Sequence, residues 1–237
     1  MQVDIADAAG RRAVRPLDAA SLVLVDRSGT TPRFLLGRRH TRHNFMPDVM
    51  VFPGGRLEPA DRHMRVYGSL SAHTERNLMA MTVRPSAAKA RALLLCAIRE
   101  TFEETGILVG EADLGDPPAS GEAWSAFARH GVFPSAEALH FVARAITPPA
   151  FPRRFDTRFF VADASAVAKT VDGFFGPDSE LVEVRWLTAP ETEGENLAEI
   201  TRAILREVNL RLEKGLERDL PVPFFRERRG SWFRDEI

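Results

Sequence analysis

Glu100, Glu103 and Glu104 follow Arg99 in the stretch "RETFEETGI", at positions i, i+3 and i+4. On a helix of 3.6 residues per turn, that spacing gathers three carboxylates into an arc of roughly 100°. Like charges so placed cost an isolated helix a few tenths of a kcal/mol per pair. Here they also lie near the helix C-terminus, where the dipole disfavours anions. Two readings account for them. One is a solvated acidic face; the other is a site for a hard divalent cation, because Mg²⁺ and Mn²⁺ take carboxylate and water oxygens. A second chemistry-bearing stretch is "VFPGGRLEPAD", residues 51–61, in which Pro53, Gly54 and Gly55 end an apolar run ahead of Glu58 and Asp61. Glycine lets the backbone turn, or come close to another group, where a side chain would clash.

These residues need elements to hold them. The segment "SAAKARALLLCAIRETFEETG" predicts a helix over about 87–105, with Ser86 as N-cap and Gly106 just past its end. Leu94, Leu95, Ile98 and Phe102 form its core-facing stripe, and the three glutamates lie nearly opposite. A second amphipathic helix is expected over about 196–216, with shorter helices near 71–81 and 122–131. Strands are expected at 19–26, at 33–39 as its partner, and over the apolar run that ends at Gly54–Gly55. Three more fall at 139–149, 154–163 and 181–187. Strands, helix, strands, helix is the order of a mixed α/β domain. The 237 residues read as one domain, 1–237, with a lead-in over 1–18 and irregular sequence over about 62–86.

Composition limits the function classes. Apolar residues make up 44% of the chain, enough for a sizeable core, and 32 basic against 33 acidic residues leave a net charge of −1. That balance does not point to nucleic acid or an anionic membrane as partner. No segment approaches the roughly 20 apolar residues of a membrane span. The acidic start has no secretory pattern, so a cytoplasmic protein is expected. Cys96, in "LLLCAI", is the sole cysteine; it reads as an inert packed thiol. The histidines His40, His43, His63, His73, His130 and His140 show no zinc-type spacing and read as surface or loop residues.

"RETFEETGI" resembles the second half of the Nudix box, the signature of Nudix hydrolases: Gly-x5-Glu-x7-Arg-Glu-U-x-Glu-Glu-x-Gly-U, where U is bulky and aliphatic. Arg99, Glu100, Glu103, Glu104, Gly106 and Ile107 match it, while Thr101 stands at the first U. Gly55 matches the box glycine, and Asp61 falls six residues on, where the family has Glu. The box is therefore split by an insertion. "RFLLGRRHTRHNFMPDVMVFPGG" is similar to the segment preceding the box in coenzyme A diphosphatases, with Leu35, Leu36, Arg39 and Phe52 to Gly55 in place, and Gly37, His40, Asn44 and Asp48 as departures. Together with "ITPPAFPRRFDTRFFVA" (146–162), the pattern resembles the motif-19 type of Nudix hydrolase.

The resemblance implies a Nudix fold, an α/β/α sandwich with a mixed β-sheet. It also implies hydrolysis of a diphosphate linked to a nucleoside, with Mg²⁺ or Mn²⁺ as cofactor. Glu100, Glu103 and Glu104 would be cation ligands, with the backbone of Gly54 and Gly55 approaching the cation and diphosphate. Arg99 would orient the carboxylates. Glu103, Glu104 or Glu183 would be the general base. Arg39, Arg153, Arg154 and Arg158 would bind phosphates. CoA or an acyl-CoA is the first substrate expectation, with ADP-ribose, NADH or a nucleotide as the alternative. A non-catalytic nucleotide- or protein-binding module is the alternative of another class. The protein is expected as monomer or homodimer. Met64, Tyr67, Leu78, Met79 and Met81 of the insertion would either line an apolar groove or pack the insertion onto the core.

Overall fold

The computed structural model describes residues 14–42, 47–118, 121–174, 179–216, 219–228 and 230–237. Most of the expected lead-in, with His43 and Asn44, lies outside the described residues. Eleven strands and five α-helices are described: β1 (Leu17–Asp26), β2 (Arg33–Arg39), β3 (Met50–Val51), β4 (Gly54–Arg56), α1 (Ala72–Met79), α2 (Ala87–Thr105), β5 (Ile107–Val109), α3 (Glu122–Arg129), β6 (His140–Ile146), β7 (Phe155–Asp163), β8 (Val167–Thr170), β9 (Leu181–Thr188), α4 (Ala189–Glu193), α5 (Glu199–Lys214), β10 (Pro223–Arg228) and β11 (Ser231–Glu236). No helix among them is long and apolar enough to cross a membrane.

The main sheet runs β11-β10-β6-β7-β1-β2-β3, with β4 also paired to β1 and β9 to β2. It is mixed: β1 lies parallel to β7, β10 parallel to β6, and the other pairs are antiparallel. Each face carries its own core, because alternate strand residues point opposite ways. Leu22 and Leu24 of β1 join Leu93, Leu94, Cys96 and Ile98 of α2 on one side. Val23 and Val25 join Ile204, Leu205 and Val208 of α5 on the other. The result is an α/β/α sandwich.

The ends of α2 follow from its caps. Ser86 Oγ accepts from the Lys89 amide at 3.1 Å, and Gly106 takes the left-handed conformation at φ 74°, its N–H bonding to Phe102. The expected strand partnership of 19–26 with 33–39 holds over a short span: β1 meets β2 at Val25↔Phe34 and Asp26↔Arg33. Further along, β4 takes that edge of β1, pairing Ala19↔Arg56, Ala20↔Gly55 and Ser21↔Gly54. Pro53 cannot donate, and it splits the expected third strand into β3 and β4. Its carbonyl instead ties the break to β1, accepting from Ser21 Oγ at 2.7 Å and from the Leu22 amide at 3.0 Å.

Two features were not anticipated: the small β5–β8 sheet and the β10–β11 hairpin. The irregular stretch carries α1 and is packed down. Met64 and Leu78 are buried in the α2 core, and Met79 packs against it, while Tyr67 and Met81 are exposed. Packing thus accounts for three of the five residues named above.

Candidate functional site

Gly54 and Gly55 serve close approach, not a turn; neither has a left-handed φ. A Cβ on Gly54 would lie 2.6 Å from the Ala20 carbonyl oxygen and 2.7 Å from Ser21 Cα, both backbone. A Cβ on Gly55 would lie 2.6 Å from the Glu100 carboxylate. The two substitutions should therefore separate. Gly54→Ala presses on a core strand and is expected to cost about 1–3 kcal/mol in urea unfolding. Gly55→Ala displaces only a side-chain end, so stability should stay near wild type while activity falls. Equal stability losses would contradict this division.

Behind β4, Arg99 is the hub. Its Nε donates to Asp61 Oδ1 at 2.7 Å and its Nη2 to Asp61 Oδ2 at 3.1 Å, a two-pronged bond between fully buried groups. Nη2 also donates to the Arg56 carbonyl at 2.9 Å. Nη1 reaches Glu103 Oε2 at 2.5 Å and Glu100 Oε1 at 3.0 Å. Asp61 is fixed in turn by the 3-10 turn Pro59–Arg62, where its Oδ2 accepts from the Glu58 amide at 2.8 Å. Glu104 turns the other way and accepts from the Gly54 amide at 3.0 Å.

Four carboxylates against one guanidinium leave this cluster short of positive charge. Burial raises Glu100 to about 7, against the pull of Arg99 and with a further push from Glu103. Burial also raises Glu103, again opposed by Arg99. It holds Glu104 well above the carboxylate range, with Glu180 and Glu100 adding to the rise. For Arg99, burial favours the neutral form, but the Asp61 bond and the Glu100 and Asp61 charges outweigh it and keep the guanidinium charged. Among the described residues, no three His, Cys, Asp or Glu side chains converge on one cation position. Glu100 and Glu103 are both turned onto Arg99, and Glu104 onto Gly54. The donor set nonetheless suits a hard cation: buried carboxylate oxygens with unmet negative charge, beside a glycine backbone that leaves room.

The cluster opens into a cleft of about 460 Å³. Glu100, Glu103 and Arg99 line one wall with Gly54, Gly55 and Arg56, and β1 and β7 form the floor through Ala19, Phe155 and Phe159. The start of α5, at Ala198, Ile200 and Thr201, forms the far wall, and Arg39 and Glu180 stand at one side.

Other expected site residues lie elsewhere. Arg158 is fully buried on the α2 face, where it pairs with Asp18 at 2.9 Å and donates to Thr82 Oγ1 at 3.1 Å. It serves as a strut between sheet and insertion and does not reach the cleft. Arg154 donates to the Thr147 and Val14 carbonyls and closes the turn before β7; Arg153 is exposed and outside the cleft lining. Glu183 is bound to Arg38 Nε at 2.7 Å and is absent from the cleft lining. Its place is taken by Glu180, paired with Arg39 at 2.6 Å. Cys96 is buried as expected, its Sγ 3.5 Å from the Gly55 carbonyl and its pKa raised well above the usual value by burial.

No family model matches the chain. Similar proteins do exist. An acyl-coenzyme A diphosphatase (NUDT19) of Gallus gallus is 34% identical over 122 residues, covering 44% of this chain and 30% of that protein. The nudix hydrolase 7 sequence of Caenorhabditis elegans is 28% identical over 193 residues, covering 76% of this chain and 54% of that one. The chain thus spans about half or less of the length of these curated relatives. The crystal structure of a Nudix hydrolase from Alicyclobacillus acidocaldarius matches 84% of this chain and 96% of its own, at a TM-score of 0.59 and 24% identity. The chain has the fold of that Nudix hydrolase.

In this chain the split signature is rejoined in space. Asp61, at the box position where the family has Glu, meets Arg99 from the second half. Its role is not that of an outlying substitution but of the buried partner that orients Arg99. The sequence signal for it was its six-residue distance from Gly55. Glu180 carried a weaker signal, as the carboxylate three residues before Glu183 at the mouth of the same strand.

Proposed function

We propose that this protein is a Nudix hydrolase, a divalent-cation-dependent enzyme that cleaves the diphosphate bond of a nucleoside-diphosphate-linked small molecule, with CoA or an acyl-CoA as the first substrate class. The observation that carries the reading is the junction of Gly54–Gly55 with Glu100 and Glu103 at the wall of an open cleft, and with Glu104 buried behind it. The printed activity of the Gallus gallus relative supports the CoA class.

Glu100, Glu103 and Glu104 are the residues that would hold Mg²⁺ or Mn²⁺. When bound, such a cation neutralises phosphate oxygens and lowers the pKa of water. The chain's own groups supply the rest. Arg99, locked by Asp61, fixes where Glu100 and Glu103 stand. Arg56, on β4 with its side chain largely exposed, and Arg39 offer positive charge to the substrate's phosphates. Glu103 is the most exposed of the three glutamates and accepts the proton of the attacking water. Water oxygen bonds to phosphorus, the bridging P–O bond breaks, and the leaving phosphate carries away the electron pair. From CoA the products would be 3′,5′-ADP and 4′-phosphopantetheine.

The test is a panel of CoA, acyl-CoA, ADP-ribose, NADH and nucleoside triphosphates, each with Mg²⁺ or Mn²⁺, with products resolved by chromatography. Turnover of CoA or its thioesters is the expected result. ADP-ribose turnover with inert CoA would replace the substrate class. Absence of turnover with every diphosphate would leave the alternative of a non-catalytic binding module.

A further inference from the structure

The cleft does not end at α5. Strand register aligns Arg56, Ala19, Thr157, Ala145 and Phe225 across β4, β1, β7, β6 and β10. Direct cross-strand partners share a face, so this line is one floor, roughly 19 Å long at about 4.8 Å per strand step. Two residues further along β10, Glu227 is paired with Trp232 of β11, on the same face. Ile200 of α5 lines the catalytic cleft and also a second groove of about 260 Å³ formed with Ala203, Phe225 and Trp232. The two hollows lie over one sheet face and meet at Ile200, with Ala145 buried beneath α5 between them.

We infer that this groove, built by the β10–β11 hairpin against α5, is a substrate subsite for an extended apolar arm attached to the diphosphate. The inference rests on the diphosphate reading of the cleft. Trp232 is 52% exposed, a large ring left in water in a groove that adjoins the site at Ile200. The sheet contributes two aromatic rings to the groove lining, Phe225 and Trp232, and the lining charges, Glu199, Arg202 and Arg206, belong to the helix wall. A nucleobase would bring hydrogen-bonding edges, and the groove lining has no amide or hydroxyl side chain to pair with them. An unbranched hydrocarbon needs none. The groove is also too small for a helix, which is about 10–12 Å across with its side chains. The occupant is therefore part of a small molecule. The hairpin acts on specificity, since apolar contacts far from the scissile bond raise kcat/KM only for substrates long enough to reach them.

The experiment measures kcat/KM for CoA and a series of straight-chain acyl-CoA thioesters on the full chain, with Trp232→Ala to remove the floor and Ala203→Phe to fill the groove. For wild type, kcat/KM is expected to rise several-fold per pair of methylenes until the groove is filled. Each variant should flatten that rise and lower the long-to-short ratio about tenfold. Turnover with a flat chain-length profile, or a profile both variants leave unchanged, overturns the inference while the diphosphate reading stands. If no diphosphate is turned over, that reading fails instead, and calorimetric titration of the same thioesters decides the groove. Affinity that climbs with chain length and collapses in Trp232→Ala supports it; affinity independent of length overturns it. A dimer that Trp232→Ala dissociates also overturns it, because the ring would then face a second copy.

Discussion

Asp61→Ala is expected to destabilise the protein by about 3–5 kcal/mol, the cost of removing one member of a buried ion pair. Asp61 has no exposed surface and Arg99 almost none. The alanine would leave the guanidinium without its two-pronged partner and the Glu58 amide without its acceptor. For a chain of this size the loss corresponds to a fall of roughly 10 °C in melting temperature. Asp61→Asn, which keeps the shape and one acceptor, should lie between alanine and wild type. Activity should fall with stability, because Arg99 is what holds Glu100 and Glu103. Urea melts monitored by circular dichroism give the number. A loss below about 1 kcal/mol for the alanine would mean that the pair is not a structural hub.

Glu103→Gln should show the opposite profile. The side chain is half-exposed at the cleft wall, and glutamine fills the same space. It can still accept from Arg99 Nη1, so the melting temperature should stay within a few degrees of wild type. The hydrolysis rate should fall by about two to four orders of magnitude, the range for loss of a general base or a cation ligand. The measurement pairs single-turnover kinetics on the best substrate of the panel with a cation titration. A weaker apparent cation affinity would show that Glu103 is a ligand, and an unchanged affinity with a slow chemical step would show that it moves the proton. Activity within tenfold of wild type would remove Glu103 from the site altogether.

Much of this geometry was legible in the residues. Both caps of α2 were readable, because Ser86 and Gly106 act through their immediate neighbours. So was the meeting of Glu100 and Glu103, which needs only the helical period, whereas Glu104 turns away to the Gly54 amide. Less legible was what surrounds α2. A stripe of Leu94, Leu95, Ile98 and Phe102 suggests one buried face, yet Ala92, Leu93, Ala97, Thr101 and Glu104 are buried too. The insertion, α3 and β4 cover the other sides, and nothing within the helix announces that. Arg158 shows a second limit. In "RRFDTRFF" three arginines look equivalent, but the period-2 alternation of β7 sends Arg158 into the core against Asp18, while Arg153 precedes the strand and stays in water. Glu180 likewise stands just before β9, past a register shift in its pairing with β2, and so parts from Glu183. The β10–β11 hairpin was missed because "FFRERRGSWFRDE" carries seven charged residues against four apolar ones, and its register depends on β6, some 80 residues earlier in the chain.

The pairing of Asp61 with Arg99 has a consequence in polymer terms. Thirty-seven residues separate them, against seven in an unbroken box, and lengthening a flexible loop by that factor costs only about 1.5 kcal/mol of closure entropy. Burial of Met64 and Leu78 from within the tether is of the size needed to offset it. Contour length between the two halves of this site is thus close to thermodynamically neutral. An insertion at that point leaves the site assembled as long as its two anchor points still close.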